Sequence, residues 1–404
     1  MKKSIFLCLL LACCLLFQAT SMAAAPVKTE GITIPVMEGM KDYGIPENEA
    51  LAFVRDMKCG WNLGNTFDAV YNDNRHDTSL NLESYWNGAV TTKELIEALK
   101  EAGFNSIRIP VSWHNHVDEN DVIDEAWLNR VKEVAGWALD LGMYAIVNIH
   151  HDNEPAFFYP DREHAERTDA YMTAIWTQMA EAFRDCDDHL LLESMNEPRL
   201  KGTNFEWWWD ENDKSCRESM ERINELNQKF VDTVRASGGN NATRYLVVPS
   251  YCANPGYAVN EAFVLPKDTA ENRIIVAAHA YTPYNFALNT GSPDKTFDLE
   301  NEPEKKREIT LFMNDLYDRF VAGGIPVIMD EFGAIDKDNT QDRVNFAAFY
   351  SAAGSIHGLT CFWWDNGNYK GGGERFSLIN RKTLEWYYPD IVLAIMENCM
   401  LNRK

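Results

Sequence analysis

Basic residues are scarce in this 404-residue chain: 38 Lys and Arg stand against 61 Asp and Glu, a formal net charge of −23. That deficit excludes the usual means of holding DNA, RNA or an anionic membrane, which all select basic patches. It leaves a neutral or cationic partner. The nine cysteines include no CxxC and no zinc-finger spacing, so a redox motif or structural zinc site is not expected. No stretch is rich enough in Pro, Ser and Gly to serve as an inter-domain linker.

Long hydrophobic runs are absent beyond the first residues. There Lys2 and Lys3 precede an apolar run over 5–17, followed by small residues up to Ala25. That order reads as a secretory signal peptide, and the run is too short for a comfortable membrane span. Ser21 and Ala23 place cleavage after Ala23. An alternative is a lipoprotein site at Cys13, because Leu10-Leu11-Ala12-Cys13 has the right residue types. The expected organisation is a signal peptide over 1–23, an N-terminal extension over 24–50 and one domain over 51–404. The mature protein is expected to be secreted, extracellular or periplasmic, with no membrane contact once the leader is gone. Cys59, Cys186, Cys216, Cys252, Cys361 and Cys399 then remain. They read as buried free thiols, because a chain this long does not need disulfides to complete a core.

What is present is a repeated theme. Short apolar runs occur at 60–63, 106–110, 144–150, 190–197, 245–249, 274–281, 326–331 and 359–364. Helix-period stretches lie between and after them, at 91–102, 125–141, 169–183, 217–236, 307–322, 343–355 and 384–401. Gly103, Gly142, Gly238 and Gly323 stand where left-handed helix caps are wanted. Strand then helix, repeated eight times, predicts an α/β protein: a (β/α)8 TIM barrel, single domain with long βα loops. The units average about 43 residues against roughly 31 for a minimal barrel. The excess falls in loops 65–90, 152–167, 198–211 and 282–305, all on the rim where barrels bind substrate. These loops carry Tyr71, Tyr85, Trp86, Phe157, Tyr159, Tyr284 and the triplet Trp207-Trp208-Trp209. An aromatic, acidic rim suits a sugar, whose CH faces stack on aromatic rings. Within the triplet one or two rings are expected to be buried and one, taken as Trp208, to face the ligand.

Two strands end in a glutamate. The fourth closes Leu192-Glu193-Ser194-Met195-Asn196-Glu197-Pro198, and the seventh closes Met329-Asp330-Glu331-Phe332-Gly333. A carboxylate at the end of an apolar strand is costly unless it is hydrogen-bonded or functional. Two facing each other across a barrel mouth are the apparatus of glycoside hydrolysis: one protonates the leaving oxygen, the other attacks or activates water. Asn196 and Glu197 are adjacent, so both serve one site only if the strand ends in a bulge or turn. By the same parity Asp330 is expected to point away from the pocket of Glu331. Arg108 could hold Glu331 ionised, or could be a buried ion-pair partner of Glu193.

Asn196-Glu197-Pro198 and Glu331, at strands four and seven, resemble glycoside hydrolase family 5. The likeness extends to Gly60-Trp61-Asn62-Leu63-Gly64-Asn65, Ile107-Arg108-Ile109-Pro110, Asn148-Ile149-His150-His151-Asp152, His279-Ala280-Tyr281 and Phe362-Trp363-Trp364-Asp365-Asn366-Gly367. The wording of strands three, six and eight is similar to subfamily 4, which contains endo-β-1,4-glucanases and xyloglucanases. The resemblance implies a retaining endo-acting hydrolase of β-glucan polysaccharide with no cofactor and no metal. It implies Glu197 as general acid/base and Glu331 as nucleophile. Glu197 is then expected to stay protonated near neutral pH through a desolvated setting or the charge of Glu331. Arg108 and Tyr281 are expected to hold Glu331, Asn196 to meet the substrate 2-hydroxyl, and His150 and His279 to bracket the sugar. Trp364 is expected as the stacking floor, with Asn65, His151 and Trp208 in support; His151 and Asp152 could also only orient neighbours or hold their loop. The resemblance further implies a cis Trp364–Asp365 bond. β-Mannan is an alternative substrate, although strands six and eight favour β-glucan. Two other classes stand further off. A metal-dependent barrel hydrolase would use His114, His116 or His150, but strand one lacks a His-x-His and strand five lacks a Lys or His ligand. A non-catalytic carbohydrate-binding barrel would not need both glutamates.

Overall fold

The computed structural model describes residues 43–401; the expected signal peptide, Cys13 and most of the N-terminal extension lie outside them. Eight parallel strands close into one barrel in sequence order. They are β1 (Cys59–Leu63), β2 (Ser106–Ile109), β3 (Tyr144–Asn148), β4 (Leu190–Glu193), β5 (Leu246–Pro249), β6 (Ile274–His279), β7 (Val327–Phe332) and β8 (Thr360–Asp365). Closure comes from β1 pairing with β8, from Cys59 opposite Cys361 to Leu63 opposite Asp365. The helices are α1 (Glu49–Asp56), α2 (Lys93–Ala102), α3 (Glu125–Asp140), α4 (Ala165–Ala182), α5 (Lys214–Ala236), α6 (Pro255–Ala258), α7 (Tyr284–Ala287), α8 (Pro303–Arg319), α9 (Thr340–Ile356) and α10 (Pro389–Asn398). None is long and apolar enough to cross a membrane among the described residues.

The expected periodicity fails at one crossover. Between β5 and β6 the helix is the single turn α6, started by Pro255 and capped by Asn254, whose side chain accepts from Gly256 N. The glycine caps hold at Gly103, Gly142 and Gly238, with φ of 108°, 65° and 67°. At the fourth it is Gly324, φ 87°, that turns left-handed, because Gly323 still belongs to a 3-10 turn. Cys216, Cys252 and Cys361 are buried free thiols.

Two apolar layers hold the barrel. The larger lies between strands and helices. The smaller fills the barrel floor, where Ala50 and Val54 of α1 and Met57 just past its end lie on Ile146, Leu191, Val247, Ile275, Ile328 and Phe362. Ala50 therefore already belongs to the barrel core, inside what was expected to be the extension. Asn48 caps α1 by accepting from Leu51 N at 2.7 Å and donates to Gly324 O at 2.8 Å. Gly60 is required here, since a Cβ would stand 1.9 Å from the Phe362 ring that plugs the floor.

Candidate active site

Strand parity decides which side chains reach the mouth. Along β8, Phe362 points to the floor, Trp363 to the helix layer and Trp364 to the mouth. Along β6, Ala277 points to the floor and His279 and Tyr281 follow above it. Along β7 the alternation breaks. Ile328 faces inward and Met329 outward, yet Asp330 and Glu331 both face inward before Phe332 turns out again. The register against β8 slips between Met329 and Phe332, giving β7 one extra residue. This bulge corrects the expectation for Asp330. Its Oδ2 lies 3.5 Å from Arg108 Nε and its Oδ1 lies 3.4 Å from His279 Nε2, beneath the site. Asp330 keeps the inward parity, and Glu331 is the residue brought in. Strand β4 solves the same problem by stopping at Glu193 and bending at Ser194, after which Asn196 and Glu197 both reach the mouth.

Arg108, fully buried, is the hub. Its Nε and Nη2 donate to the two oxygens of Glu193, each at 2.7 Å. Nη1 donates to Glu331 Oε1 at 2.7 Å, and Nη2 also to Asn196 Oδ1 at 2.7 Å. Both readings of Arg108 hold at once. Asn62, which sequence reasoning passed over, accepts from Nη1 at 3.1 Å and donates to Asp330 O at 2.8 Å. A polar side chain in the otherwise apolar β1 run was the available signal. Glu331 takes a second hydrogen bond from Tyr281 Oη at 2.8 Å.

Opposite, Glu197 Oε1 lies 2.8 Å from His279 Nδ1, which is also 3.7 Å from Glu331 Oε2. One oxygen each of Glu197 and Glu331 and one nitrogen of His279 lie within 4.8 Å of one another. The charge balance differs from the expectation. Burial raises the pKa of Glu197, but its hydrogen bond to His279, the charge of that ring and the Arg199 guanidinium outweigh it and hold the carboxyl below the usual glutamate range. Burial pushes Glu331 up, with the charge of Glu197 adding to it, against His279, Arg108 and Tyr281. Although burial disfavours its cation, His279 is held well above the ordinary histidine value by Glu331, Asp330 and Glu197. The surroundings thus favour the charged form of both Glu197 and the His279 ring.

His150 and Trp364 form one wall, with centroids 6.0 Å apart and planes within 2°. Trp364 needs no cis bond to face the mouth; among the described residues the only one is Thr282–Pro283. Strand parity aims its ring, and Gly64 makes room for it, since a Cβ there would lie 2.7 Å from the indole. His151 stands beside His150, with Nε2 3.8 Å from Asp68 Oδ2 and its ring 5.8 Å from Trp86. Burial takes His151 down to about 4 and Asp68 up to about 6. Asp68, His150 and His151 could together approach an ion, but both Asp68 oxygens already accept main-chain N–H groups of Asn65 and Thr66. His114 and His116 are held within their loop, by Asp152 Oδ1 at 3.2 Å and Asp77 O at 2.7 Å. Asp152 also accepts from Trp113 N and Tyr171 Oη, a loop-holding part.

Asn65 is placed as a turn residue, φ 56°, engaged through its main chain with Asp68 and Asn87. In the tryptophan triplet one ring, Trp209, is buried, while Trp207 and Trp208 are 60% and 67% exposed. Arg199, also passed over, stacks its guanidinium 4.0 Å above Trp207.

The sequence pattern of the family described as Cellulase (glycosyl hydrolase family 5) matches residues 68–370. Endoglucanase 1 of Ruminococcus albus is 39% identical over 372 residues, which is 91% of this chain and 86% of that one. The cellulase/esterase CelE of Acetivibrio thermocellus is 41% identical over 364 residues, 89% of this chain; the chain spans only 41% of its length. Among solved structures, a mutant of a glycoside hydrolase 5 lichenase from Caldicellulosiruptor sp. F32, in complex with cellotetraose, superposes with a TM-score of 0.87 at 50% identity, covering 91% of this chain and 99% of that one. The strand-four and strand-seven glutamates thus stand in a barrel whose sequence and fold agree on one assignment, and the chain belongs to glycoside hydrolase family 5.

Proposed function

We propose that the chain is a retaining endo-glycoside hydrolase cleaving β-1,4-glucosidic bonds in β-glucans, with Glu331 as nucleophile and Glu197 as general acid/base. The observation that carries it is that an oxygen of Glu197 and an oxygen of Glu331 lie within 4.8 Å of each other, with His279 Nδ1 beside both. Retaining enzymes hold theirs about 5–5.5 Å apart, and inverting enzymes leave room for a water. Arg108 and Tyr281 keep Glu331 charged and aimed, so it attacks the anomeric carbon while the leaving oxygen takes a proton from Glu197. His279 hands that proton across 2.8 Å to Glu197 as the sugar enters and excludes water. Glu197 then takes a proton from water, which releases the glycosyl group from Glu331. Asn196, fixed by Arg108, is set to meet the 2-hydroxyl, a contact that strengthens in the transition state. His150 and Trp364 form the stacking wall for the ring being cleaved.

The substrate class rests on the relatives named cellulase, endoglucanase and lichenase, and on the cellotetraose bound by one of them. Secretion through the leader over 1–23 completes the reading. A panel of carboxymethyl cellulose, mixed-linkage glucan, xyloglucan and mannan tests it, with viscosity and reducing ends followed together. Viscosity should fall ahead of reducing ends on a β-glucan. Exclusive activity on mannan, or release of a single short product from the first minutes, would overturn it.

A further inference from the structure

Glu197 is gripped at both carboxyl oxygens. His279 takes Oε1, and Arg199, two residues along the chain, approaches Oε2. Arg199 Nη1 donates to the main-chain carbonyl of Glu197 at 2.9 Å and lies 3.5 Å from Glu197 Oε2. Its Nε is buried without a hydrogen bond and lies 3.7 Å from Glu206 Oε1. The Arg199 carbonyl accepts from Asn153 Nδ2 at 2.9 Å, which ties it to the neighbouring loop. The guanidinium is closed in from above by the Trp207 indole, whose far side is open to solvent. An arginine needed only to brace a loop could spend all five donors on carbonyls, as Arg244 does with the carbonyls of Phe183, Cys186, Asp187 and Leu190 and the side chain of Asn241. Arg199 instead leaves Nε without a hydrogen bond and, while Nη1 bonds the Glu197 carbonyl, sets that nitrogen 3.5 Å from the carboxyl.

We propose that Arg199 is a positioning residue for Glu197: clamped by Trp207, it holds the second carboxyl oxygen and biases the group toward the base it must be in the second step. The inference rests on the acid/base reading of Glu197. The groups around that carboxyl come from five elements besides its own. His279 and Tyr281 face it from the β6 end, Glu331 from β7 and His151 from the β3 loop. Cys252 faces it from the β5 end and Glu374 from the β8 loop. Glu331 and Glu374 favour the protonated acid, and His279 and Arg199 favour the carboxylate. Burial keeps His151, Cys252 and Tyr281 neutral. His279 exchanges its proton with Glu197 during the cycle. Arg199 is the lasting counterweight, because a guanidinium does not titrate in the working range.

A cation beside a carboxylate favours its charged form. Removing it lets the Glu197–His279 pair keep its shared proton to higher pH. The test is the pH dependence of kcat/KM for Arg199→Met, Arg199→Lys and Trp207→Leu, on mixed-linkage glucan and on 2,4-dinitrophenyl β-cellobioside. On the glucan, Arg199→Met should move the alkaline limb up by roughly one unit, Arg199→Lys should restore most of it, and Trp207→Leu should give a smaller upward shift. The dinitrophenyl substrate needs no acid in its first step, so its kcat/KM should show no such shift. An alkaline limb that stays put or moves down overturns the proposal, whatever the loss of rate, as does an equal loss on both substrates. If Arg199→Met melts at the assay temperature, Arg199→Gln gives the same reading. Glu197→Ala is run alongside. Failure of azide to rescue it on the dinitrophenyl substrate removes the acid/base reading itself, whereas rescue with an unmoved limb in Arg199→Met removes only the Arg199 proposal.

Discussion

Arg108 reaches Glu331 with Nη1 alone, at 2.7 Å, while its other nitrogens are committed to Glu193 and Asn196. Glu331 is therefore held by one arm of a guanidinium that a second buried carboxylate fixes in place. Arg108→Met would leave Glu193 and Glu331 buried without their cation, costing about 3–5 kcal/mol. Burial already raises both carboxyls. A carboxyl whose folded pKa lies above its unfolded value is favoured below the unfolded value and loses that advantage as pH rises through the folded one. The penalty should thus be smallest near pH 4 and grow toward pH 7. Urea unfolding across that range checks it; a penalty independent of pH would mean that both carboxyls titrate in the variant as they do beside Arg108.

Stereochemistry separates the roles of Glu197 and Glu331. Glu197→Ala should slow polysaccharide hydrolysis by about 10²–10⁴-fold. It should still form the glycosyl-enzyme from an activated aryl glycoside, and azide should release a β-glycosyl azide. Glu331→Ala forms no such intermediate, so azide should attack from the vacated side and yield the α-product. Product anomers read by NMR decide the matter, and the reverse pattern would exchange the two assignments.

Tyr281→Phe removes the second donor to Glu331. Without it the carboxylate is less favoured, so its pKa rises and the acid limb of kcat/KM should move up. The variant should lose about ten-fold in rate at pH 6, roughly the worth of one hydrogen bond to a charged group. A pH profile with an unmoved acid limb would show that the 2.8 Å contact is not kept in the working enzyme.

The paired tryptophans of β8 should part company. Trp363 is wholly buried, with Nε1 bonded to Phe376 O at 3.0 Å. Trp363→Ala should cost about 3–5 kcal/mol and leave KM of the surviving folded fraction little changed. Trp364→Ala should lower kcat/KM by roughly ten- to a hundred-fold through the lost stacking wall, with a much smaller change in melting temperature. Thermal melts beside initial rates distinguish them.

Periodicity was enough to read the barrel, because each strand is a short buried run and the long helices other than α9, which is buried almost all round, carry one apolar stripe. It failed at α6, where Pro255 and Asn254 make a one-turn crossover too short to show a period. Both glutamates were legible because a carboxylate ending an apolar strand is conspicuous. Asp330 was misjudged because parity presumes a regular strand, and a bulge inside β7 leaves no local sequence mark. The cations beside Glu197 were not foreseen: His279 meets it only through tertiary structure, and Arg199, two residues along the chain, was passed over. A cis bond at Trp364 was carried over from relatives, whereas ordinary alternation along β8 already turns that ring inward.

The helix α1 seals the barrel at the end away from the mouth, so the two ends of the cylinder have separate duties. A tether fixed to α1 would approach from the floor and present the mouth outward. Grafting the enzyme to a bead or a scaffold through that side should leave long polymers free to reach it, whereas coupling through the loops that bear Trp86 or Trp208 would set the support against the substrate's path.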